Sequence, residues 1–324
     1  MSRGEDRGSA RVLAVWILFL VWAVAIVVTY ARVPTAELYN VSVGGVRGGF
    51  GRALVFLNFP TALVAVALAL SSADRLRGVV WALAVAFTVG LCAVVVWPGV
   101  VDQKDLDAKL VNALPALGVL GALGLTAAAR RAWPGNSGAP RPTTRLRSYP
   151  GKARVWVTDR ADFVTTLEQH RRGLRAMGRP VAMALIVLAS LPWIAAELGF
   201  HLDGPFLGSE LRPEPGHRQI AAVHLGHHHG MDGSLLALTA LVLLSVPVHM
   251  VRPRLRTAVS AYLSLMLAYG LANAVQDGWN EQVAKRSWVD HWLPSMLHPS
   301  VSFPWLGIII GAALAYTLLY RPAR

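Results

Sequence analysis

Residues 79–97 read VVWALAVAFTVGLCAVVVW, nineteen consecutive positions without a charged side chain. At about 1.5 Å of rise per residue, a helix of this length crosses most of the roughly 30 Å hydrocarbon core of a bilayer. Lipid offers the backbone no hydrogen-bond partners, so such a segment satisfies its own polar groups by forming a helix. The stretch therefore predicts a transmembrane α-helix.

Comparable apolar runs recur along the whole chain of 324 residues. Hydrophobic residues make up 54% of the chain and charged residues 15%, whereas soluble domains carry about 25% charged residues. One soluble core could not bury that much apolar surface. The predicted fold class is all-α, a polytopic membrane bundle of about eight transmembrane helices. The predicted spans are 11–31, 53–71, 79–97, 111–129, 181–199, 234–250, 258–276 and 304–320.

The formal net charge of +13 is distributed unevenly between the predicted loops. The N-terminus up to and including Arg11, the C-terminal tail and residues 72–78, 130–179 and 251–257 hold 22 of the 31 basic residues and 6 of the 18 acidic ones. By the positive-inside rule these segments are cytoplasmic. The expected location is therefore the cell membrane, with a multi-pass chain and both termini in the cytoplasm. The positive excess reflects this topology, and no motif for binding nucleic acid accompanies it.

The predicted spans divide the chain into three parts. Residues 1–129 hold spans one to four, 130–179 form a basic cytoplasmic linker, and 180–324 hold spans five to eight with a histidine-rich outer loop. The loop lengths favour two parallel halves of four helices. Within the linker, 159–178 has the pattern of an amphipathic helix that lies on anionic lipid. This helix either anchors the topology or docks a partner.

Eight of the ten histidines fall on the predicted outer side. Their centre is the stretch 224–233, HLGHHHGMDG. In a helix over 218–232, His224, His228 and Asp232 would share one face at i, i+4 and i+8. Two imidazoles at that spacing can bind one metal ion, and a carboxylate completes a three-ligand site with an open position. The pair His224 and His227, at i and i+3, is the alternative arrangement.

Two neighbouring helix ends bring further polar residues to the same predicted depth. Glu197 and His201 are an i, i+4 pair at the end of span five, and Asn273 and Asp277 are another at the end of span seven. The three ends predict a pocket of nitrogen and oxygen ligands without thiolate, which suits Zn, Fe, Mn or Cu. In the structural alternative, the histidines are solvated, Glu197 reaches the interface, and Asn273 and Asp277 cap a helix or join neighbouring helices.

The pattern His224-x-x-His227-His228 resembles one histidine box of the membrane fatty-acid desaturase and hydroxylase family. That family holds two iron ions on the cytoplasmic side with several such boxes. No second His-x-x-His-His occurs in this sequence, and residues 224–228 are predicted on the outer side. The resemblance therefore transfers neither ligand residues nor a reaction to this chain.

Residues 43–52, VGGVRGGFGR, place five glycines and two arginines in ten positions on the predicted outer side. A glycine-rich loop with arginine can surround an anionic group with N–H donors. Arg47 and Arg52 are therefore the predicted substrate-binding residues, for a phosphate or carboxylate headgroup. The structural alternative is a flexible turn before span two.

Three functions follow from these patterns. The leading hypothesis is a metal-dependent membrane enzyme, a hydrolase or an oxidoreductase, that acts on a lipid or isoprenoid-like substrate. In it, His224, His228 and Asp232 are metal ligands, with His227 and His201 as further candidates, and Glu197 or Asp277 is the general base. The second hypothesis is a transporter or metal-handling protein, although the spans hold few ionisable groups for a relay. The third is a non-catalytic assembly or scaffold protein.

The predicted topology can be tested with alkaline phosphatase fusions, because this reporter is active only outside the cytoplasm. Fusions within 130–179 and after the C-terminus should be inactive, whereas a fusion within 200–233 should be active. Activity from 130–179 with none from 200–233 would invert the topology. The histidines would then lie in the cytoplasm, as in the desaturase-like family.

Overall fold

The computed structural model describes residues 3–32, 46–97, 110–131, 178–191, 193–194, 211–212, 220–221, 229–284, 287–297 and 299–320. These residues form eight α-helices. They are α1 (Arg3–Arg32), α2 (Val46–Ala73), α3 (Val79–Ala93), α4 (Ala113–Arg131), α5 (Gly178–Leu191), α6 (His229–Val242), α7 (Pro253–Trp279) and α8 (Phe303–Ala315).

Shorter elements extend or connect these helices. The 3₁₀ turns are Val94–Val96, Leu110–Asn112 and Pro247–His249, and the π-helical turns are Asn280–Ala284 and Tyr316–Tyr320. Two-residue strands, β1 (Leu211–Arg212) and β2 (Ile220–Ala221), form an antiparallel ribbon. Apart from this ribbon the regular structure in the described ranges is helical, as the sequence predicts.

Six helices in the described residues are long and apolar enough to cross a membrane. They are Ser9–Val27, Val79–Val96, Leu110–Arg131, Gly230–His249, Pro253–Trp279 and Phe303–Tyr320, and two shorter apolar helices are Leu57–Ala73 and Gly178–Leu191. These helices confirm the prediction of a multi-pass membrane protein. Each of the eight predicted spans overlaps one of them. The number eight, the orientation of the termini and the division into two halves remain predictions.

Helix α6 lies at the centre of the bundle. Its span is 78% buried inside the protein, against 11–33% for the spans that contain α1, α3, α4 and α8. It packs against α7, and it also contacts α1 and α2. Helix α2 in turn packs against α1, α3, α4 and α7, so α2 joins the first four helices to α6 and α7.

The pair α6 and α7 owes its close packing to two glycines. A Cβ added to Gly233 would overlap the backbone oxygen of Gly270, and a Cβ added to Gly270 would lie 2.8 Å from the backbone nitrogen of Ala237. Lipid gives helices no hydrophobic reason to associate, so close van der Waals packing at small residues is the main attraction between them. Gly233 and Gly270 therefore set the distance between the two helices.

Buried tyrosines connect this pair to the rest of the bundle. The Tyr262 hydroxyl of α7 donates to the Leu63 carbonyl of α2 at 2.7 Å. Beyond the end of α8, the Tyr320 hydroxyl donates to the Ala240 carbonyl of α6, also at 2.7 Å. Each hydroxyl thereby satisfies its donor in an apolar interior, where an unpaired polar group is costly.

At the opposite end from Gly233, Asp74 and Arg252 connect α2 and α7 through reciprocal caps. The Asp74 carboxylate accepts from the backbone N–H groups of Val251 and Arg252, at 2.9 and 3.0 Å. The Arg252 guanidinium donates to the carbonyls of Ala73 and Leu76, at 3.2 and 2.9 Å. Orphan donors at the start of one helix and orphan acceptors at the end of the other are satisfied together.

Span six, predicted over 234–250, lies within the apolar span Gly230–His249. Within that span α6 ends at Val242 and is followed by a turn and the Pro247–His249 3₁₀ element, since Pro247 has no N–H to continue the helix. The prediction of a helix over 218–232 is wrong, because Ile220–Ala221 is an extended strand and α6 begins at His229.

We expect Gly233→Ala to destabilise the protein by about 1–3 kcal/mol, because the added methyl group overpacks the contact with α7. The matched control is Gly124→Ala, since a Cβ at Gly124 meets no atom within 4 Å. The control should be neutral or stabilising by up to about 1 kcal/mol, because alanine favours a helix. Thermal unfolding in detergent measures both, and equal melting temperatures for the two variants would contradict this account of the packing.

Candidate functional site

Asp277 caps the beginning of the central helix. This residue lies in the last turn of α7, and it is 4% exposed. Its Oδ2 accepts a hydrogen bond from the backbone N–H of Gly230, in the first turn of α6, at 2.9 Å. The first N–H groups of a helix have no partner within it, and the helix dipole favours negative charge there. Asp277 thus joins α7 to α6, which is the structural alternative that the sequence left open.

Asp232 is a second buried carboxylate at the same end of α6. It lies in the first turn of the helix and is 4% exposed. Asp232 of α6 and Asp277 of α7 are therefore both buried at the same end of the bundle. Buried carboxylates are expensive unless hydrogen bonds, the helix dipole or a cation stabilise them.

Asn273 adds an amide group one helical turn before Asp277. Its side chain is 3% exposed, and its Nδ2 donates to the Tyr269 carbonyl at 2.9 Å. Within the described residues, no donor reaches its buried Oδ1. A buried carbonyl oxygen without a partner calls for an explanation, and a bound ion or water is one of the usual ones.

The inner side of the cluster is formed by side chains from α5 and α6. Ser190 Oγ lies 2.7 Å from Ser234 Oγ, and Ser234 Oγ donates to the Gly230 carbonyl at 2.8 Å. Trp193, 4% exposed, packs directly on Gly230, where an added Cβ would overlap its ring. A side chain at position 230 would therefore overlap both Trp193 and the Asp277 carboxylate, so this position requires glycine.

The segment 287–297 packs against the end of α7, next to this cluster. The Asn280 side chain exchanges two hydrogen bonds with the Leu293 backbone, at 2.9 and 3.1 Å. The Tyr269 hydroxyl donates to the Leu297 carbonyl at 2.8 Å, and its ring lies 5.5 Å from that of Trp305.

The tryptophans of this segment are partly exposed, as expected for an interfacial belt. Trp288 and Trp292 are 48% and 53% exposed, and Trp279 donates to the His291 carbonyl at 2.8 Å. Asp290 and His291 are exposed. Both differ in this respect from Asp232 and Asp277, which are buried.

The structure places two of the predicted site residues at this end of α6 and α7, namely Asp232 and Asp277. Glu197, His201, His224, His227 and His228 lie outside the described residues. In the described ranges, no group of three or more His, Cys, Asp or Glu side chains is close enough to hold a metal ion. Of the predicted metal ligands, only Asp232 lies within the described residues, so the metal site remains a prediction.

Arg47 and Arg52 lie in the first two turns of α2, which begins at Val46. The prediction of a loop or turn over 43–52 is therefore wrong for 46–52. Three glycines in that range disfavour a helix by about 1 kcal/mol each, but the apolar run that follows them continues the same helix. The side chains of these arginines are outside the described residues, so their assignment to an anionic headgroup stays a prediction.

Sequence reasoning missed Ser190, Trp193 and Ser234 as parts of the cluster. Ser234 follows Gly230 by one helical turn, and Ser190 precedes Trp193 by three positions. Ser234 is therefore one turn from Gly230, which Asp277 contacts. Ser190 is close in the sequence to Trp193, which packs on Gly230. The available signal was the clustering of small and polar residues at 230–234.

Comparison with protein-family models, with curated proteins and with solved structures found no match to this chain.

We expect Asp277→Ala to destabilise the protein by about 1–3 kcal/mol, because the Gly230 N–H loses its acceptor in a buried position. Asp277→Asn is the matched control, since its side-chain oxygen can still accept that hydrogen bond. Thermal unfolding of the two variants in detergent measures the difference. If both melt together with the wild type, the cap does not contribute to stability.

Proposed function

We propose that this multi-pass membrane protein binds a metal ion at the end of the bundle where α6 begins and α7 ends. The observation that supports the proposal is the buried set of Asp232, Asn273 and Asp277, which includes an amide oxygen without a donor in the described residues. The set lies at the start of the helix that directly follows the histidine-rich stretch. The chain therefore leads from a run of imidazole groups directly into the helix whose beginning lies beside the buried carboxylate and amide groups.

Covalent geometry supports the participation of the histidines. Two peptide links separate His228 from Gly230, so their Cα atoms lie within about 8 Å of each other. The Gly230 N–H is hydrogen-bonded to Asp277, and His227 is one link further away. Imidazole and carboxylate ligands without thiolate suit Zn, Fe, Mn or Cu(II). We assign His224, His228 and Asp232 as ligands, with His227 and His201 as further candidates.

The proposed function is that of a metal-dependent membrane enzyme acting on a lipid-like substrate. When bound, the ion would supply Lewis-acid activation of water, oxygen or an acyl or phosphoryl group. Asp277 orients the start of α6 through its bond to Gly230, and this fixes the position of Asp232. Glu197 remains the proposed general base. Arg47 and Arg52 remain the proposed contacts for an anionic headgroup.

The membrane setting favours this position for a site. A carboxylate in the hydrocarbon core is costly, and its cost decreases towards the interface. At a helix start, N–H groups already stabilise negative charge, so a pair of carboxylates can be kept there before any ion binds. The exposed Trp288 and Trp292 mark the interface at this end.

Metal analysis of the purified protein tests the proposal. We expect about one or two tightly held ions per chain in the wild type after dialysis. His224→Ala/His228→Ala and Asp232→Asn should lower the affinity at least about tenfold, which is the minimum cost of losing even an outer-shell partner. The controls are His291→Ala and Asp290→Asn, which alter exposed side chains of the same loop region and should retain the metal.

If the folded wild-type protein holds no stoichiometric metal, the proposed metal site is excluded. Metal that is retained in His224→Ala/His228→Ala would instead exclude the two histidines as ligands. The enzymatic part has its own test, in which metal-loaded protein is incubated with membrane lipid and the products are identified by mass spectrometry. Turnover by the wild type that the double variant lacks would support it, and equal lipid profiles for the two would exclude it.

A further inference from the structure

A groove of about 350 Å³ lies between α7 and α8 on the surface of the bundle. Its walls are small and apolar side chains from both helices. They include Ala268 and Ala272 of α7, Gly307, Gly311 and Ala315 of α8, and Met296 at the outer end. A groove of this volume is within the range that binds small organic ligands.

The groove exists because α8 carries glycine where a larger side chain would close it. A Cβ added to Gly311 would lie 3.6 Å from the Ala268 Cβ, in ordinary van der Waals contact. A Cβ added to Gly307, one turn nearer the beginning of the helix, would meet no atom within 4 Å. The two helices therefore touch near Gly311 and leave space beside Gly307.

The groove opens onto the surface that faces the bilayer. On α8, Leu306, Ile310 and Leu314 are each more than half exposed, and only 11% of this span is buried inside the protein. Exposed apolar surface of this extent in a spanning helix is a contact with lipid chains. The groove is continuous with that lipid interface, so its occupant comes from the hydrocarbon of the membrane.

The length of the groove matches one leaflet. From Pro304 to Ala315 the helix rises about 16 Å, and half of the hydrocarbon core is about 15 Å. The groove starts at the loop beside Met296 and ends near the bilayer centre. A second copy of the chain is the alternative occupant, and the crosslinking experiment below distinguishes the two.

We infer that the groove between α7 and α8 binds one hydrocarbon chain of a lipid from the leaflet next to the 287–297 segment. In the predicted topology this is the outer leaflet. The terminal part of the chain lies near Ala315 and the part next to the headgroup lies near Met296. The small residues on both walls let an unbranched acyl chain or a prenyl chain lie close to the helix backbones.

The position of the groove also indicates what a bound lipid would meet. Leu297, next to Met296, accepts the hydrogen bond from Tyr269, and Ala272 precedes Asn273 in α7. The headgroup of a lipid in the groove would therefore lie at the depth of the polar cluster, on the adjacent face of α7. That this lipid is the substrate rests on the proposed function, whereas binding of the chain does not.

Photo-crosslinking tests the inference on the full-length protein. The protein is placed in vesicles of phosphatidylethanolamine and phosphatidylglycerol whose acyl chains carry a diazirine, and labelled peptides are identified by mass spectrometry. A diazirine near the headgroup should label residues around Met296 and Pro304. A diazirine at the chain end should label residues around Ala315.

Gly307→Leu should reduce labelling of the groove about tenfold, because the new side chain occupies space for about two methylene groups of the lipid. The matched control is Gly124→Leu, which changes a glycine of α4 that is equally exposed and equally free of contacts. The control should keep the wild-type pattern. Ala272→Leu fills the groove from the α7 side and replaces Gly307→Leu if that variant does not fold.

Three results would overturn the inference. The first is equal labelling of all lipid-facing helices in the wild type. The second is a pattern that Gly307→Leu and Ala272→Leu leave unchanged. The third is a disulfide-linked dimer of Gly307→Cys that forms in membranes well above the level of Gly124→Cys, because a second copy would then occupy the groove.

The same samples separate this inference from the proposed function. His224→Ala/His228→Ala should lose the metal and keep the labelling of the groove. Labelling without metal in the wild type would overturn the proposed function alone. Metal in the wild type without labelling of the groove would overturn the lipid site alone.

Discussion

The contact between Gly233 and Gly270 is the constraint on which the rest of the bundle depends. Because neither residue has a side chain, α6 and α7 approach until backbone atoms meet. The arrangement at the end of the bundle where α6 begins follows from that distance. Two turns beyond Gly270, Asp277 is close enough to accept from the Gly230 N–H. A wider spacing would leave that donor unsatisfied and would take Asp277 away from Asp232.

Polar groups complete the packing that the glycines begin. In lipid, association of helices relies on van der Waals contact and on hydrogen bonds between helices, each of modest strength. Tyr262 and Tyr320 donate to backbone carbonyls of neighbouring helices, and Asp74 and Arg252 cap each other's helix ends. The bundle is thus fixed at both ends and in the middle by hydrogen bonds between its helices. In an apolar solvent, the polar groups of the protein must find their hydrogen-bond partners within the protein.

The sequence predicts those features that depend on length and composition. Each predicted span overlaps an apolar helix, because a run such as 79–97 has no other stable state in lipid. The prediction fails where a tertiary contact or a local break decides. The ribbon at Ile220–Ala221 interrupts the helix that was predicted over 218–232, before α6 begins at His229. Asp277 was recognised as a cap or ligand, but its partner Gly230 is 47 positions away, and no local pattern reveals such a pairing.

The cap and the proposed metal site are compatible uses of the same carboxylates. A central helix that begins within a membrane bundle must find an acceptor for its first N–H groups, and Asp277 provides one. That requirement already places negative charge at the one end of α6 where the helix dipole favours it. Asp232 adds a second carboxylate at the same end, and the chain enters the helix through consecutive histidines. A cation site at this position would require no change in the arrangement of α6 and α7. It adds ligands from the entering chain to charges that the fold already keeps in place.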